Sequence, residues 1–371
     1  MMERGKDRDR ISGIQVVAII SSTIIGAGIM SFPNNVAHKV TVDGTIVVVL
    51  SGLLVLAITF MIAYLAKKFP QSTIFDYSSS LVGRFLGKGI TGIMLIYFLL
   101  VSASVVRIFA NVIKLFLLEK TPIEIIILSF LILSTYLVKN GINPIARICE
   151  AFFPIIIISL SILLILSLQN FNIKEFYSMW QIDVFEIIKA IPTTLLSYLG
   201  FEVLLIIPAF MMEPDKVIKC GIIGTGVAVI VYIATEVMTM GVFTLEDLRY
   251  LLYPTLELAK SISFPGAFAE RFDIFYAVFW VLAVFTTFAV YHYLSAYSLT
   301  RLIGLKNYRP FCYLLMPIIY FISLLPKNIS YVQQISKLVS YFGAIVVIVI
   351  PLFLLSAAAI RKRRVKLHED T

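Results

Sequence analysis

Apolar residues run in long stretches along this chain, and short polar segments separate them. Each stretch is close to 20 residues, the length that an α-helix needs to cross the hydrocarbon core of a bilayer. Because a backbone in lipid must satisfy its own hydrogen bonds, such runs predict helices rather than strands. The predicted fold is therefore an all-α polytopic membrane protein. Ten transmembrane helices, spans one to ten, are predicted at residues 14–37, 45–66, 90–117, 122–138, 149–168, 187–212, 220–243, 272–300, 311–326 and 336–360.

Two connecting segments are long enough to hold structure of their own. Residues 72–88 carry apolar side chains such as Phe75 and Tyr77 at a spacing that predicts an amphipathic helix on the inner membrane surface. Residues 244–271 form the longest outer connection and predict helical segments across the outer mouth. For both segments the alternative is a surface connector without function.

Composition and charge support a membrane protein. The chain is 60% hydrophobic and 14% charged, whereas a globular domain carries about 25% charged residues. The net charge is +9, with twenty Lys and Arg residues in the predicted inner segments against seven in the outer loops. This bias predicts that both termini are cytoplasmic. The basic tail at 361–371 then anchors to the anionic headgroups of the lipid bilayer, and nucleic acid is not a predicted partner.

The sequence offers no catalytic or metal-binding pattern. It contains no phosphate-binding loop, nucleophile elbow or paired catalytic carboxylates. Cys149, Cys220 and Cys312 are far apart, which favours buried thiols over a disulfide framework or a metal site. We expect a protein that is not an enzyme and that needs no cofactor.

Two spans carry signals of interruption in mid-membrane. Span one contains Gly26, Ala27 and Gly28, and span six contains Gly200 between Pro192 and Pro208. Glycine permits unwinding and proline removes a backbone donor.

These spans correspond to each other if residues 1–371 form one transporter-like domain of two inverted five-helix repeats, at 1–168 and 187–360. The N–H groups of broken helices can bind a carboxylate at the membrane midplane. The alternative is that the glycines only allow close helix packing.

The motifs Gly26-Ala27-Gly28 and Gly200-Phe201-Glu202 resemble those of the amino acid–polyamine–organocation superfamily. The order and spacing of residues 116–122, 253–255 and 270–272 resemble the spore germination permease family, the B subunits of nutrient germinant receptors in spore-forming bacteria. The resemblance covers almost the whole chain. It implies a subunit in the inner spore membrane that senses a small germinant, usually an amino acid, beside an A subunit and a lipoprotein C subunit.

The resemblance also implies that spans three and eight flank the interrupted spans. Residues of these four spans then form the ligand pocket, with Val101 and Leu199 as an apolar wall for an aliphatic side chain. The predicted ligand-binding residues are Gly26, Ala27, Gly28, Tyr97, Val101, Tyr198, Leu199, Gly200, Phe201, Thr287 and Tyr291. The hydroxyls of Thr286 and Thr287 could contact sodium, although such hydroxyls commonly bond to the helix backbone instead.

Three charges fall well inside predicted spans: Arg107, Glu202 and Glu236. Charges at this depth are expected to face the protein interior and to have partners, so Arg107 could pair with either acid. Three functions share the predicted pocket. They are a germinant sensor, an autonomous amino-acid transporter coupled to sodium or protons, and an ion conduit opened by its ligand. The residues do not decide between them.

Overall fold

The computed structural model describes residues 9–38, 44–180, 184–262 and 272–369. Within these ranges the regular structure is helical, apart from an isolated β-bridge between Ile11 and Met211. The prediction of an all-α fold is confirmed. One hydrophobic cluster includes residues of both halves of the chain, from Ile11 to Leu354. The chain therefore packs as a single bundle.

Six helices are long and apolar enough to cross a membrane: Gly44–Lys68, Arg84–Phe116, Ile142–Asn170, Pro214–Val242, Phe272–Ile303 and Ile329–Arg361. Three shorter apolar helices are Gly13–Gly26, Ile123–Val138 and Arg309–Leu324. With the interrupted segment 184–210, these helices occupy the ten predicted positions. Large apolar side chains such as Ile230 and Ile165 are exposed on the exterior, as lipid contact requires. The protein is a multi-pass membrane protein, and the count of ten crossings stays a prediction.

Span ten begins earlier than its apolar run suggests. Its helix starts at Ile329 rather than at residue 336, because the side chain of Asn328 accepts a hydrogen bond from the backbone N–H of Tyr331 and caps the helix. A single π-helical stretch, Ile345–Val349, interrupts the span further along. The early start brings polar residues such as Gln333 into the helix.

Both predicted interruptions are present. In span one the helix Gly13–Gly28 ends in a turn at residues 29–31 and resumes as Phe32–Ala37, with Pro33 in its first turn. In span six the helix Val184–Ser197 gives way to the 3₁₀ segments Phe201–Leu205 and Ile207–Phe210. The backbone of Gly200 has a φ of +142°, which only glycine adopts easily.

The interruption of span one lies after the Gly26-Ala27-Gly28 motif, which is itself helical. The expectation that these glycines are the unwound residues is therefore wrong. The inverted-repeat boundaries at 1–168 and 187–360 stay a prediction.

The two long connections contain short helices. Between spans two and three lies the helix Ile74–Val82, and residues 84–88 belong to span three. The outer connection holds Leu245–Tyr250 and Pro254–Lys260. Residues 263–271 lie outside the described residues, as do residues 1–8 and, for side chains, most of the tail 361–371.

The two ends of the described chain meet at one end of the bundle. The side-chain amide of Asn143, in the first turn of the helix of span five, donates a 2.6 Å hydrogen bond to the carbonyl oxygen of Arg10. The guanidinium of Arg361 donates to the carbonyl oxygen of Ser80, between spans two and three. Both contacts involve segments predicted to be on the inner side, in agreement with the charge pattern. The side of the membrane on which the two ends lie stays a prediction.

Candidate functional site

A buried carboxylate joins three spans at the level of the breaks. Glu202 is fully buried in the first 3₁₀ segment of span six. Its Oε1 atom accepts hydrogen bonds of 2.6 Å from the hydroxyls of Tyr97 in span three and Tyr291 in span eight. Its Oε2 atom accepts a 2.7 Å hydrogen bond from the backbone N–H of Gly200. The structure thus joins four residues that the sequence places in or beside one site.

The break of span six lies against the first helix of span one. The hydroxyl of Thr23 is 3.1 Å from the carbonyl oxygen of Gly200. A Cβ atom on Gly200 would lie 2.7 Å from the backbone nitrogen of Ile24, so a side chain there would collide with span one. Both its φ angle and this close approach require glycine at position 200.

The carbonyl groups near the break of span one are capped by side chains of other elements. Each accepts one hydrogen bond of 2.7–2.8 Å: Ser22 from Thr287, Ile24 from Tyr232, Gly26 from Trp280 and Ile29 from Thr255. The donors come from spans seven and eight and from the outer connection. For Gly26 and Ile29, at the helix end and just beyond it, the side chains take the place of a helical backbone donor, whereas Ser22 and Ile24 lie within the helix and receive an additional bond.

Gly26 and Gly28 are positions of close packing. A Cβ atom on Gly26 would lie 1.9 Å from the hydroxyl oxygen of Thr287, and one on Gly28 would lie 2.3 Å from that of Tyr232. These contacts agree with the packing alternative for the motif. The backbone of Ala27 is helical, but its side chain lies outside the described residues.

Leu199 and Tyr97 meet at Gly343 of span ten. A Cβ atom on Gly343 would lie 2.6 Å from Cδ1 of Leu199 and 3.1 Å from the hydroxyl oxygen of Tyr97. Val101 and Leu199 are both partly buried and pack against the core. Gly343 was missed in the sequence because it carries no chemistry of its own, and only the fold places it between two predicted residues.

A cavity of about 430 Å³ lies between spans one, six and ten and the outer connection at Leu252 and Tyr253. It ends at Ser31, in the break of span one, and at Ser197, the last helical residue before the break of span six. Asn34 forms part of its wall and donates a 2.8 Å hydrogen bond to the carbonyl oxygen of Leu248. This bond joins the second half of span one to the outer connection.

The polar wall of the cavity was not predicted. Span ten contributes four polar side chains at helical spacing: Gln333, Ser336, Lys337 and Ser340. This spacing is the available sequence signal, because it marks one helix face. The predicted ligand-binding residues do not line the cavity but pack beneath or beside it. Among them, Tyr198 points toward span two, where its hydroxyl donates to the carbonyl oxygen of Val48, and Phe201 is fully buried.

Arg107 and Glu236 do not join the Glu202 cluster. Arg107 donates a 2.8 Å hydrogen bond to the carbonyl oxygen of Pro326. It forms no ion pair with Glu202 or Glu236, so neither expected pairing occurs among the described residues. Glu236 is buried in span seven, and its Oε2 atom has no hydrogen-bond partner among the described residues.

Oxygen atoms also converge between spans one and eight. The hydroxyl of Thr287 is 2.8 Å from the carbonyl oxygen of Ser22 and 2.9 Å from that of Ala283, which also accepts from Thr286. Both hydroxyls thus bond to backbone, as the alternative to a sodium contact expects. Sodium binding stays a prediction. Among the described residues no group of three or more His, Cys, Asp or Glu residues could hold a metal ion.

A family profile described as "Spore germination protein" matches residues 10–332. The chain belongs to the spore germination protein family. Spore germination protein YndE of Bacillus subtilis (strain 168) is 32% identical to it over 95% of this chain and 98% of that protein. Spore germination protein A2 of the same organism is 28% identical over 95% and 97% of the two chains. The family resemblance read from the sequence is confirmed.

Two solved transporters share the fold of this family member. The crystal structure of MhsT in complex with L-phenylalanine superposes with a TM-score of 0.70 at 13% identity, over 92% of this chain and 89% of that one. The nucleobase-cation-symport-1 transporter Mhp1, with bromovinylhydantoin bound, gives a TM-score of 0.66 at 12% identity, over 89% and 75%. The spore germination chain therefore has a transporter fold with two interrupted helices.

Proposed function

We propose that this chain is the ligand-binding B subunit of a spore germinant receptor and that it senses a small amino acid. The observation that carries the proposal is the position of the cavity. In a member of the spore germination protein family, a chamber of about 430 Å³ ends at the breaks of spans one and six. Irregular backbone at membrane depth is tolerated where it lines a cavity, and it supplies polar groups that can recognise a zwitterion.

The chemistry of the cavity suits a small polar molecule. Ser31, Ser197 and Thr193 offer hydroxyls near the breaks, and Lys337 offers a cation that can attract a carboxylate. Leu196 and Val332 supply apolar surface for a side chain. The carboxylate of Glu202 lies in the span that ends the cavity, where it can stabilise an ammonium group after a local rearrangement of its tyrosine partners.

The proposed setting is the inner membrane of the bacterial spore, with both termini cytoplasmic and with A and lipoprotein C subunits as partners. Ligand binding shifts the transporter-like fold between two conformations, and the partner subunits detect the shift. The proposed role is not enzymatic. Family membership and the twenty-to-seven distribution of basic residues support this assignment.

A cavity-filling variant tests the proposal. Thr193→Phe adds a ring to the cavity wall, and Ile230→Phe adds the same ring at a site that is 68% exposed on the exterior. Spores carrying Thr193→Phe should need more than tenfold higher amino-acid concentration to germinate, with unchanged protein level by immunoblot. Spores with Ile230→Phe should respond normally. A normal dose response in Thr193→Phe spores would contradict a ligand site in this cavity.

The second candidate function is autonomous amino-acid transport, which the fold of MhsT and Mhp1 favours. Uptake of labelled L-alanine by the purified chain in liposomes separates the two functions. A sensor should bind without concentrating the label under a sodium or proton gradient. A transporter should accumulate it, and a ligand-gated conduit should instead pass ions when the amino acid is added.

A further inference from the structure

A second cavity, of about 410 Å³, lies beside Arg107 and outside the site described above. Three elements form it: the outer part of span three, the start of span four and the connection between spans nine and ten. Its lining includes Arg107, Asn111, Lys114, Glu124, Pro326 and Lys327. Ile329 is the one lining residue that this cavity shares with the cavity at the breaks.

Two residues that line the cavity each carry a buried donor atom that lacks an acceptor among the described residues. Arg107 is 8% exposed, and its Nη2 atom donates to Pro326 while its Nε atom has no partner among the described residues. One helical turn further along, Nδ2 of Asn111 is also buried and unpartnered within the described chain. Buried donors without acceptors are costly, so two of them on one wall of a cavity indicate a binding position for an acceptor.

The basic side chains of the cavity favour an acceptor that is negatively charged. Lys114 and Lys327 add two cations to that of Arg107, whereas Glu124 is the acid of the lining. The charge of Glu124 acts on Arg107, but the two groups form no direct ion pair. The cavity therefore presents a concentrated positive wall and a separate negative group. An anionic oxygen group and an ammonium on one small molecule match both.

We propose that this cavity binds a zwitterion, with its carboxylate or phosphate oxygens on Arg107 and Asn111 and its ammonium group toward Glu124. Arginine and a side-chain amide can donate together to such oxygens. Two sources share this chemistry: a free amino acid and the headgroup of an ethanolamine phospholipid. Pro326 and Asn328 immediately precede span ten. A ligand bound in this cavity therefore also fixes the start of the helix that contains Lys337, which lines the other cavity.

Two binding measurements distinguish the sources, and both use the purified full chain with Thr193→Phe so that the cavity at the breaks is blocked. Labelled glycine binding in phosphatidylcholine nanodiscs detects the free amino acid. Native mass spectrometry of protein purified with phosphatidylethanolamine detects a retained headgroup. Glycine binding assigns the site to the amino acid, and lipid retention without glycine binding assigns it to the phospholipid.

Variants at the donors test the site itself. Asn111→Leu removes one donor at similar volume, and Arg107→Lys keeps the charge but not the second donor. Each substitution should lower the affinity for the probe about tenfold, because a hydrogen bond to a charged group is lost. Lys120→Gln removes an exposed cation outside the cavity and should change nothing. The proposal would be overturned if the wild type bound neither glycine nor phosphatidylethanolamine. It would also be overturned if both donor variants bound the probe as strongly as the wild type does.

The acid tests the recognition of the ammonium group. Glu124→Gln should reduce glycine or phosphatidylethanolamine binding about tenfold while leaving the competition by acetate, which lacks an ammonium, unchanged. Equal loss for glycine and acetate would show that Glu124 does not act on the ammonium group, and unchanged glycine binding would show that the site accepts a plain anion; either result would refute the zwitterion. These readouts are independent of germination, so they stand or fall separately from the proposed receptor function.

Discussion

Tyr291 in span eight and Glu202 in the break of span six are joined by a hydrogen bond of 2.6 Å. The same carboxylate oxygen accepts a bond of equal length from Tyr97 in span three. The two bonds link span six to spans three and eight, which a conformational change would separate. The cluster is therefore placed to sense any movement of span six relative to spans three and eight.

Replacing one carboxylate oxygen of Glu202 should destabilise the protein. In Glu202→Gln, an amide nitrogen replaces one carboxylate oxygen and faces a donor, either the N–H of Gly200 or a tyrosine hydroxyl. The cost of one unsatisfied buried donor is about 1–3 kcal/mol. The thermal unfolding midpoint of the purified protein should fall, whereas Glu119→Gln at an exposed site should leave it unchanged. Equal midpoints for the two variants would contradict the bonding described here.

Gly26→Ala should lower the yield of folded protein. The added methyl would lie 1.9 Å from the hydroxyl oxygen of Thr287, which has little room to move in the buried interface. Gly226→Ala is the matched control, because nothing lies within 4 Å of a Cβ atom at that position. Membrane-inserted protein, measured by immunoblot and size-exclusion profile, should fall for Gly26→Ala alone.

A second-site change separates packing from ligand contact at Gly26. Adding Thr287→Ala removes the closest atom, so it should partly restore the folded protein. If Gly26→Ala instead gave normal amounts of protein that no longer bound amino acid, the glycine would act on the ligand, as the motif first indicates.

Enlarging Val101 or Leu199 should change which amino acids are recognised. Both residues are partly buried, and Leu199 lies in the break of span six, where it meets Tyr97 at Gly343. One methylene in an apolar site shifts selectivity by about 1–3 kcal/mol. Dose responses to glycine, alanine, valine and leucine should be reordered in Val101→Phe and Leu199→Phe. Leu314→Phe, at a residue that is 52% exposed, should keep the original order, and an unchanged order in all three would refute the apolar wall.

Cysteine labelling should place both ends of the chain on the inner side. The native Cys149, Cys220 and Cys312 are free and buried, which keeps background labelling low. An impermeant maleimide added to intact cells should label a cysteine at position 260 but not at position 4 or 368. Labelling at either terminal position from outside would overturn the orientation.

The sequence predicted the fold because lipid imposes a simple rule on it. Long apolar runs must be helical, and the glycines of spans one and six marked the two spans that are interrupted. The cluster of Tyr97, Gly200, Glu202 and Tyr291 was also predicted in outline, since the resemblance placed their spans side by side.

The remaining differences depend on tertiary contacts that leave no local pattern. The break of span one follows Gly28 because side chains of distant elements cap the carbonyls around it, and no sequence period encodes those partners. Gln333 fell outside the predicted span ten, because the cap at Asn328 that starts the helix at Ile329 was not recognised.

The four caps on the carbonyls of span one have a kinetic consequence. Thr255, Tyr232, Trp280 and Thr287 hold the helix from three separate elements, so it cannot tilt without releasing several of them in one step. At about 1 kcal/mol each, their joint release adds about 4 kcal/mol to the barrier, which slows the motion about a thousandfold. A germinant receptor in a dormant spore benefits from such a barrier, because a change of conformation in the absence of nutrient becomes rare.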